Sequence, residues 1–376
     1  MQKDLWSITS FLENKNYKFN KENILTQLPE KFIDEAIKAI SSWDNYAPTP
    51  LVKLNKLNDE LKFKNIYYKD EDKRFDLKSF KALGGAFAVY KIASEKENIT
   101  VSTATAGNHG RSVAWGAQRL GLKCKIFISE FVSESRAEAM RKLDAEVIRV
   151  KGNYDNSLKE CIKQSKENNW EIVQDVSWEG YKEVPKLIMA GYTIMIKEIL
   201  DEVKSNSISH VFLQAGVGGM AAAMIAGFAK LSQNIPKFII VEPENADCVF
   251  QSIKNNKPTS VDIKKETVMG GMSCGDVSSI AWEILKNSSN YCLTISDEAI
   301  STTVALLAEK RLSDEKIIAG ECAVPGIIAL ISSFNNKEYL DKLELNEQSN
   351  VLLFGCEGLT DSAMYQKLLS DGLQKI

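Results

Sequence analysis

The sequence predicts an α/β protein built on parallel sheets. Short strands rich in β-branched and aromatic residues alternate with helical stretches of about 10–15 residues, the pattern of βαβ units. At ~100–200 residues per domain, 376 residues make two domains, or one large α/β unit. Chemistry-bearing residues cluster in the turns just after strands, where open parallel sheets bind ligands.

The elements follow in order. A helical prologue spans roughly Lys31 to Trp43, and the Pro cluster Ala47-Pro48-Thr49-Pro50 then leads into the core in extended form. Asn65–Lys69 (NIYYK) has strand character, Phe80–Glu97 has helical periodicity, and Thr100–Thr105 is short and β-branched. His109–Leu120 reads as helix, Lys123–Ile128 (KCKIFI) as strand, Ser133–Leu143 as helix and Glu146–Val150 as strand. Tyr154–Glu167 is helical, Glu171–Gln174 a strand, and Tyr181–Val203 one long helical stretch. His210–Gln214, Phe238–Val241 and Val351–Phe354 complete the strands. Helices are predicted at Gly219–Leu231, 277–287, 297–310 and 322–334.

Composition excludes several classes. The chain is 44% hydrophobic and 26% charged, which argues against disorder and against a small disulfide scaffold. Lys+Arg 47 against Asp+Glu 50 leaves no basic field for nucleic acid. No apolar run of ~18 residues predicts a membrane span, and Met1–Lys15 lacks a signal-peptide core, so a cytoplasmic protein is expected. Seven scattered cysteines without a CxxC read as reduced thiols. The two histidines, His109 and His210, are far apart in sequence, so no His-rich metal site is expected.

Four turns carry candidate chemistry. Gln214-Ala215-Gly216-Val217-Gly218-Gly219-Met220-Ala221 follows a strand and opens a helix, where glycines and free N–H groups favour a phosphate. The same residues fit G-x-G-x-x-A, with Glu242 ending the next strand, so a Rossmann dehydrogenase is the competing reading of this motif. Ser79-Phe80-Lys81-Ala82-Leu83-Gly84-Gly85 sets a lysine at a helix start among Phe80, Leu83, Ala86 and Phe87. Burial would lower its pKa as a Schiff-base amine needs; the plainer reading is a surface lysine. Thr103-Ala104-Thr105-Ala106-Gly107-Asn108-His109-Gly110 reads as an N-cap with a turn, and its Asn can offer an amide to a ligand oxygen. Gln174-Asp175-Val176-Ser177-Trp178-Glu179-Gly180-Tyr181 puts a carboxylate beside aromatics, able to hold a cation or merely to cap a helix from Gly180.

In this order, together with Pro48-Thr49-Pro50-Leu51, the segments resemble the fold-type II pyridoxal-phosphate enzymes, the tryptophan-synthase β-like superfamily. Finer features are similar to its diaminopropionate ammonia-lyase family. They include Arg74-Phe75, Gly107-Asn108-His109-Gly110-Arg111, Val173-Gln174-Asp175, Trp178-Glu179-Gly180-Tyr181 and Ala246-Asp247-Cys248. Ser273-Cys274-Gly275 and Trp282-Glu283-Ile284-Leu285 continue the likeness, which runs from about residue 30 to residue 365.

The resemblance implies two parallel-sheet domains with pyridoxal 5'-phosphate between them. A large domain would take 1–81 and 196–376, and a small one, 82–195, would be inserted in it. It implies that Lys81 carries the cofactor as a Schiff base, that Asn108 contacts its phenolic oxygen, and that Gly216, Val217, Gly218, Gly219 and Met220 cradle its phosphate. Cys356 would face the pyridine nitrogen, Asp175 the substrate's distal ammonium or the reacting carbon, and Gly320-Glu321 would line the pocket. The implied activity is α,β-elimination on 2,3-diaminopropionate, the L-isomer foremost, to pyruvate and ammonia, in a homodimer acting on a small amino acid. A threonine or serine dehydratase, a β-replacement synthase or a non-catalytic amino-acid-binding homologue would share the cofactor residues. The chain departs from the family at Ala106, where an Asp is expected.

Overall fold

A computed structural model describes residues 5–203 and 208–376, so the first four residues of the Met1–Lys15 stretch lie outside it. The strands are β1 Ile8–Glu13, β2 Leu51–Lys53, β3 Asn65–Asp70, β4 Thr100–Ala104, β5 Lys123–Ser129, β6 Glu146–Val150, β7 Glu171–Ile172, β8 His210–Gln214, β9 Lys237–Pro243, β10 Tyr291–Ile295 and β11 Asn350–Gly355. The chain divides into two compact units: Met1–Gln27, Pro48–Lys73 and Met195–Ile376 in one, Leu28–Ala47 and Arg74–Ile194 in the other.

The larger unit holds a seven-stranded sheet in the order β1-β10-β9-β8-β11-β3-β2. The five inner strands are parallel, and β1 and β2 are antiparallel additions at the two edges. Parallel strands buried on both faces read as continuous apolar runs, as in β8 and β10, whose residues are all buried. The helix Gly219–Leu231 is apolar all round and nearly all buried, a core helix rather than a surface one. The Pro cluster is pinned from within this unit. Lys69 pairs with Glu198 at 2.6 Å, both side chains at most 2% exposed, and its Nζ also donates to the Thr49 carbonyl at 2.7 Å. The Thr49 hydroxyl in turn donates to Glu71 at 2.6 Å, so each buried charge has a partner.

The smaller unit holds a four-stranded parallel sheet, β6-β5-β4-β7. It is wider than the span 82–195, since Leu28–Ala47 and Arg74–Lys81 group with it. Packing explains this. Glu35 pairs with Lys91 at 2.9 Å. Trp43, Phe75 and Trp115 form one aromatic cluster, with the Arg119 guanidinium 4.4 Å from the Trp43 ring and 4.8 Å from that of Trp115.

Several elements differ from the sequence reading. The stretch expected as one helix from Tyr181 is two, Glu183–Tyr192 and Ile194–Val203, broken where the Thr193 hydroxyl donates to the Ala190 carbonyl. The helix expected at 322–334 is a 3-10 turn, Glu321–Ala323, followed by Pro325–Asn335, because Pro325 fits the first helical turn. Strands β1, β2 and β10 were not expected. No helix among the described residues is long and apolar enough to cross a membrane.

Candidate active site

Each sheet has a point where the strand order reverses, and the candidate residues sit there. In the smaller unit the chain runs β4 to β5 to β6 on one side, while β7 joins β4 on the other. The turns after β4 and β7 therefore open side by side, and they carry Thr105–Asn108 and Gln174-Asp175. In the larger unit the reversal lies between β8 and β11, and the turns that follow carry Gly216–Met220 and Cys356.

Lys81 is the first residue of the helix Lys81–Glu95. Glycines fix that helix in place. A Cβ on Gly84 would lie 2.5 Å from the Ile188 carbonyl, and one on Gly191 would lie 2.8 Å from the Gly84 Cα. On the opposite side a Cβ on Gly116 would lie 2.7 Å from the Ala86 Cα. The Ser112 hydroxyl fills the space beside Gly85 and accepts from Ala86 N at 3.0 Å. The glycine pair after the lysine is thus a close helix crossing that sets where the lysine stands.

The Lys81 ammonium pairs with the Asp175 carboxylate, and its Nζ lies 5.9 Å from the Phe80 ring. The lysine side chain is 27% exposed, so a carboxylate, rather than the apolar neighbours expected from sequence, dominates its surroundings. Burial pushes the Asp175 carboxyl up, but His109 and Lys81 outweigh burial and hold it well below the usual carboxylate range. His109 Nδ1 lies 3.8 Å from Asp175, while its Nε2 is bound to the Val173 carbonyl at 2.7 Å. Burial lowers the His109 pKa, and the Asp175 carboxylate acts against that shift. The helix after Asp175 starts only at Glu183, so Asp175 caps no helix.

Residues of these motifs that had no role assigned from sequence hold this geometry. Gln174 accepts from the Thr103 hydroxyl at 2.9 Å and from Ala104 N at 3.1 Å, and donates to the Ala104 carbonyl at 3.0 Å. It locks the turn bearing Asp175 to the end of β4. The Thr105 hydroxyl accepts from Gly107 N at 3.0 Å and Gly110 N at 3.2 Å, which shapes the turn before Asn108, first residue of the helix Asn108–Arg119. The Tyr192 hydroxyl is buried with no hydrogen-bond partner; burial, and then Lys81 and Asp175, act on its ionisation.

In the larger unit Gly218 has φ +87°, a conformation that favours glycine, and immediately precedes the helix Gly219–Leu231. A Cβ on Gly218 would meet Leu285 at 2.8 Å, so that position is fixed by packing and backbone together. Gly219 is different: it is buried, yet a Cβ there would meet no atom within 4 Å. Open space at the N-terminus of a 13-residue helix suits an anionic group. Val217 is held by its carbonyl, which accepts from Ser278 N at 2.9 Å, and Met220 is buried. Gln214 Nε2 donates to the Phe354 carbonyl at 2.7 Å and the Cys322 carbonyl at 3.0 Å, tying the ends of β8 and β11 together. The Cys356 thiol, buried just after β11, donates to the Cys322 carbonyl at 3.1 Å. Gly320 N donates to the Glu357 carbonyl at 3.0 Å, which sets the Gly320-Glu321 segment beside Cys356.

Glu242, the acid a dinucleotide site would turn to a ribose, is fully buried and accepts from Val249 N at 2.9 Å and Phe250 N at 2.7 Å. Both its oxygens hold a helix start and the side chain is 0% exposed, so it is not presented to a ribose, and the Rossmann dehydrogenase loses its structural support.

Two α/β units, one with a lysine–aspartate pair beside its reversal point and the other with a glycine turn opening a helix at its own, define a class. Residues 43–357 match the model of the pyridoxal-phosphate dependent enzyme family, and the chain belongs to that family. Within it, the chain is a homologue of diaminopropionate ammonia-lyase. The enzyme of that name from Escherichia coli (strain K12) is 34% identical over 352 residues, covering 87% of this chain and 88% of that one. The crystal structure of the Escherichia coli enzyme with an aminoacrylate-PLP azomethine reaction intermediate superposes with a TM-score of 0.90 at 31% identity, covering 98% of each chain. Its complex with D-serine superposes equally well. The cofactor is pyridoxal phosphate. Taken singly, the open space at Gly219 has the helix-start position that suits a phosphate, and Lys81 has the amine that suits an aldehyde.

Proposed function

We propose that the chain eliminates ammonia from 2,3-diaminopropionate, with pyruvate and a second ammonia formed after hydrolysis. The observation that carries this reading is Asp175, a carboxylate only 12% exposed, held ionised and already paired with a primary ammonium, that of Lys81. The same carboxylate suits the second ammonium of a diamino acid far better than a neutral hydroxyl.

Bound pyridoxal phosphate supplies the electron sink that lets an amino-acid Cα–H ionise. In the proposed assignment Lys81 would carry the cofactor and move the α-proton, and Asn108 would contact the phenolic oxygen. Gly216, Val217, Gly218, Gly219 and Met220 would hold the phosphate through backbone N–H groups. Cys356 would serve the ring nitrogen, for which its thiol would have to turn from the Cys322 carbonyl. The aminoacrylate and D-serine complexes of the relative support an amino-acid substrate here. We further infer a cytoplasmic homodimer, testable by size-exclusion chromatography with light scattering.

The test is a panel of L- and D-amino acids assayed for pyruvate and ammonia. L-2,3-diaminopropionate is expected to be the best substrate, ahead of L-serine and L-threonine. The two α-protons leave from opposite faces of the cofactor ring, and Ala106 offers no base on the face opposite Lys81. Loss of a positioned base costs ~10²–10⁴-fold, so the D-isomer should trail by about that factor. L-Threonine as best substrate would make the chain a dehydratase. Equal rates on both isomers would place another base on the second face.

Gly219→Val tests the phosphate assignment. The side chain enters open space, so folding stability should hold, while affinity for pyridoxal phosphate should fall by about tenfold or more, about 1.4 kcal/mol. Wild-type affinity in a folded variant would remove the glycine turn from the cofactor.

A further inference from the structure

We propose that Asp297 is a positioning residue for the glycine turn Gly216–Met220, acting through the segment that leans on Gly216 and not by touching any ligand. The proposal rests on the assignment of that turn to the cofactor phosphate.

The contact begins at Gly216. A Cβ there would lie 3.0 Å from Cys274 Sγ, 3.1 Å from the Gly271 carbonyl oxygen and 3.1 Å from Met272 Cα. The backbone of the turn is therefore pressed by residues 271–274, which close the space behind it. Ser278 N, from the same segment, binds the Val217 carbonyl. The turn's N–H groups can face a phosphate only while this outer wall stays put.

The wall itself is poorly supplied with secondary structure. Between the helices Cys248–Asn255 and Ser279–Ser288 the chain forms only the 3-10 turn Gly270–Met272. Such a stretch depends on side-chain anchors for its position. Ser260 with Asp276, and Ser273 with Glu266, tie it to itself at exposed sites. Asp297 ties it to the sheet. It stands just past the end of β10, and its own carbonyl accepts from Ile300 N at the start of the next helix.

Both carboxylate oxygens of Asp297 are used. Oδ1 accepts from the Thr267 hydroxyl at 2.5 Å and Oδ2 from Val268 N at 2.9 Å. The Thr267 hydroxyl oxygen accepts from Met269 N at 3.1 Å, Gly270 N donates to the Val268 carbonyl at 2.8 Å, and Met272 N donates to the Met269 carbonyl at 2.8 Å. An unbroken series of bonds thus runs from β10 through Thr267, Val268 and Met269 to the turn that presses on Gly216. Thr267, Met269 and Met272 are buried, so water does not readily replace these bonds. A carboxylate that fixes two donors sets direction as well as distance. A binding constellation works only when it is held within about 0.5 Å of its productive geometry.

The test uses full-length protein. Asp297→Ala and Thr267→Val are compared with wild type for release of pyridoxal phosphate from the holoenzyme and for deuterium uptake in the peptide covering residues 214–220. Both variants should weaken cofactor binding about tenfold or more and raise uptake in that peptide. The double variant should be no worse than the weaker-binding single, since one route carries both effects. Asp297→Asn, which can accept only one of the two bonds while keeping its shape, should fall between, and carries the test if Asp297→Ala does not fold. Faster uptake confined to residues 256–278, with wild-type cofactor release, would overturn the proposal and leave Asp297 a local anchor. Gly219→Val separates the two layers. If it binds the cofactor normally, the phosphate assignment fails and takes this proposal with it. If it weakens binding while Asp297→Ala and Thr267→Val do not, the positioning proposal alone fails.

Discussion

Lys81→Ala is expected to abolish turnover, by on the order of 10⁴–10⁶-fold, the usual cost of deleting a group that is both covalent anchor and proton carrier. The protein should still fold. Lys81 is the first residue of its helix and 27% exposed, and alanine is the better helix former. The yellow colour of lysine-bound cofactor should disappear, and borohydride should no longer fix a label in the peptide around residue 81. Asp175 would then lose its ammonium partner, so its carboxyl should rise from its depressed value. A variant that kept both colour and pyruvate production would remove Lys81 from the chemistry.

Asp175→Asn should have the second-largest effect, and a selective one. Two unit charges about 4 Å apart near a protein surface interact by ~4 kcal/mol. Part of that is lost to screening and reorganisation, so turnover of 2,3-diaminopropionate should fall about 100-fold more than turnover of serine. Equal losses on both substrates would reduce Asp175 to a support for Lys81. Acid stability supplies a second readout. The folded-state pKa of Asp175 is depressed, so its contribution to stability is present above the unfolded value near ~3.9 and is lost as pH falls below it. In Asp175→Asn the fall in stability below about pH 4 should be shallower, with no change between pH 6 and 8.

Much of the site was legible because its residues follow strands that announce themselves. HVFLQ before Gly216 and VLLFG before Cys356 are apolar runs with little alternative to a buried strand. What the sequence hides is which strands are neighbours. The reversal points between β4 and β7 and between β8 and β11 depend on sheet order, which pairs segments far apart in the chain. The bonding role of Gln174 is hidden for the same reason, since its partners Thr103 and Ala104 lie some 70 residues away. So is the neighbour of the lysine amine. Leu83 and Phe87 are fully buried, yet it is Asp175, 94 residues on, that meets Nζ. Strand β10 (YCLTI) carried a strand signal in its β-branched and aromatic residues, but lay between two strongly helical stretches.

The edges of the two sheets bear on how copies of this chain can associate. In the larger sheet one edge is β2, three residues long and preceded by Pro50, and the other is β1, whose register slips between Ile8 and Ser10. In the smaller sheet β7 has two residues, while β6 carries Glu146 and Arg149, the latter donating to the Ser129, Glu130 and Val132 carbonyls. None of these edges is a long, regular, uncharged ladder, the kind that recruits a strand from another molecule. In the folded chain these edges offer little template for joining sheets end to end.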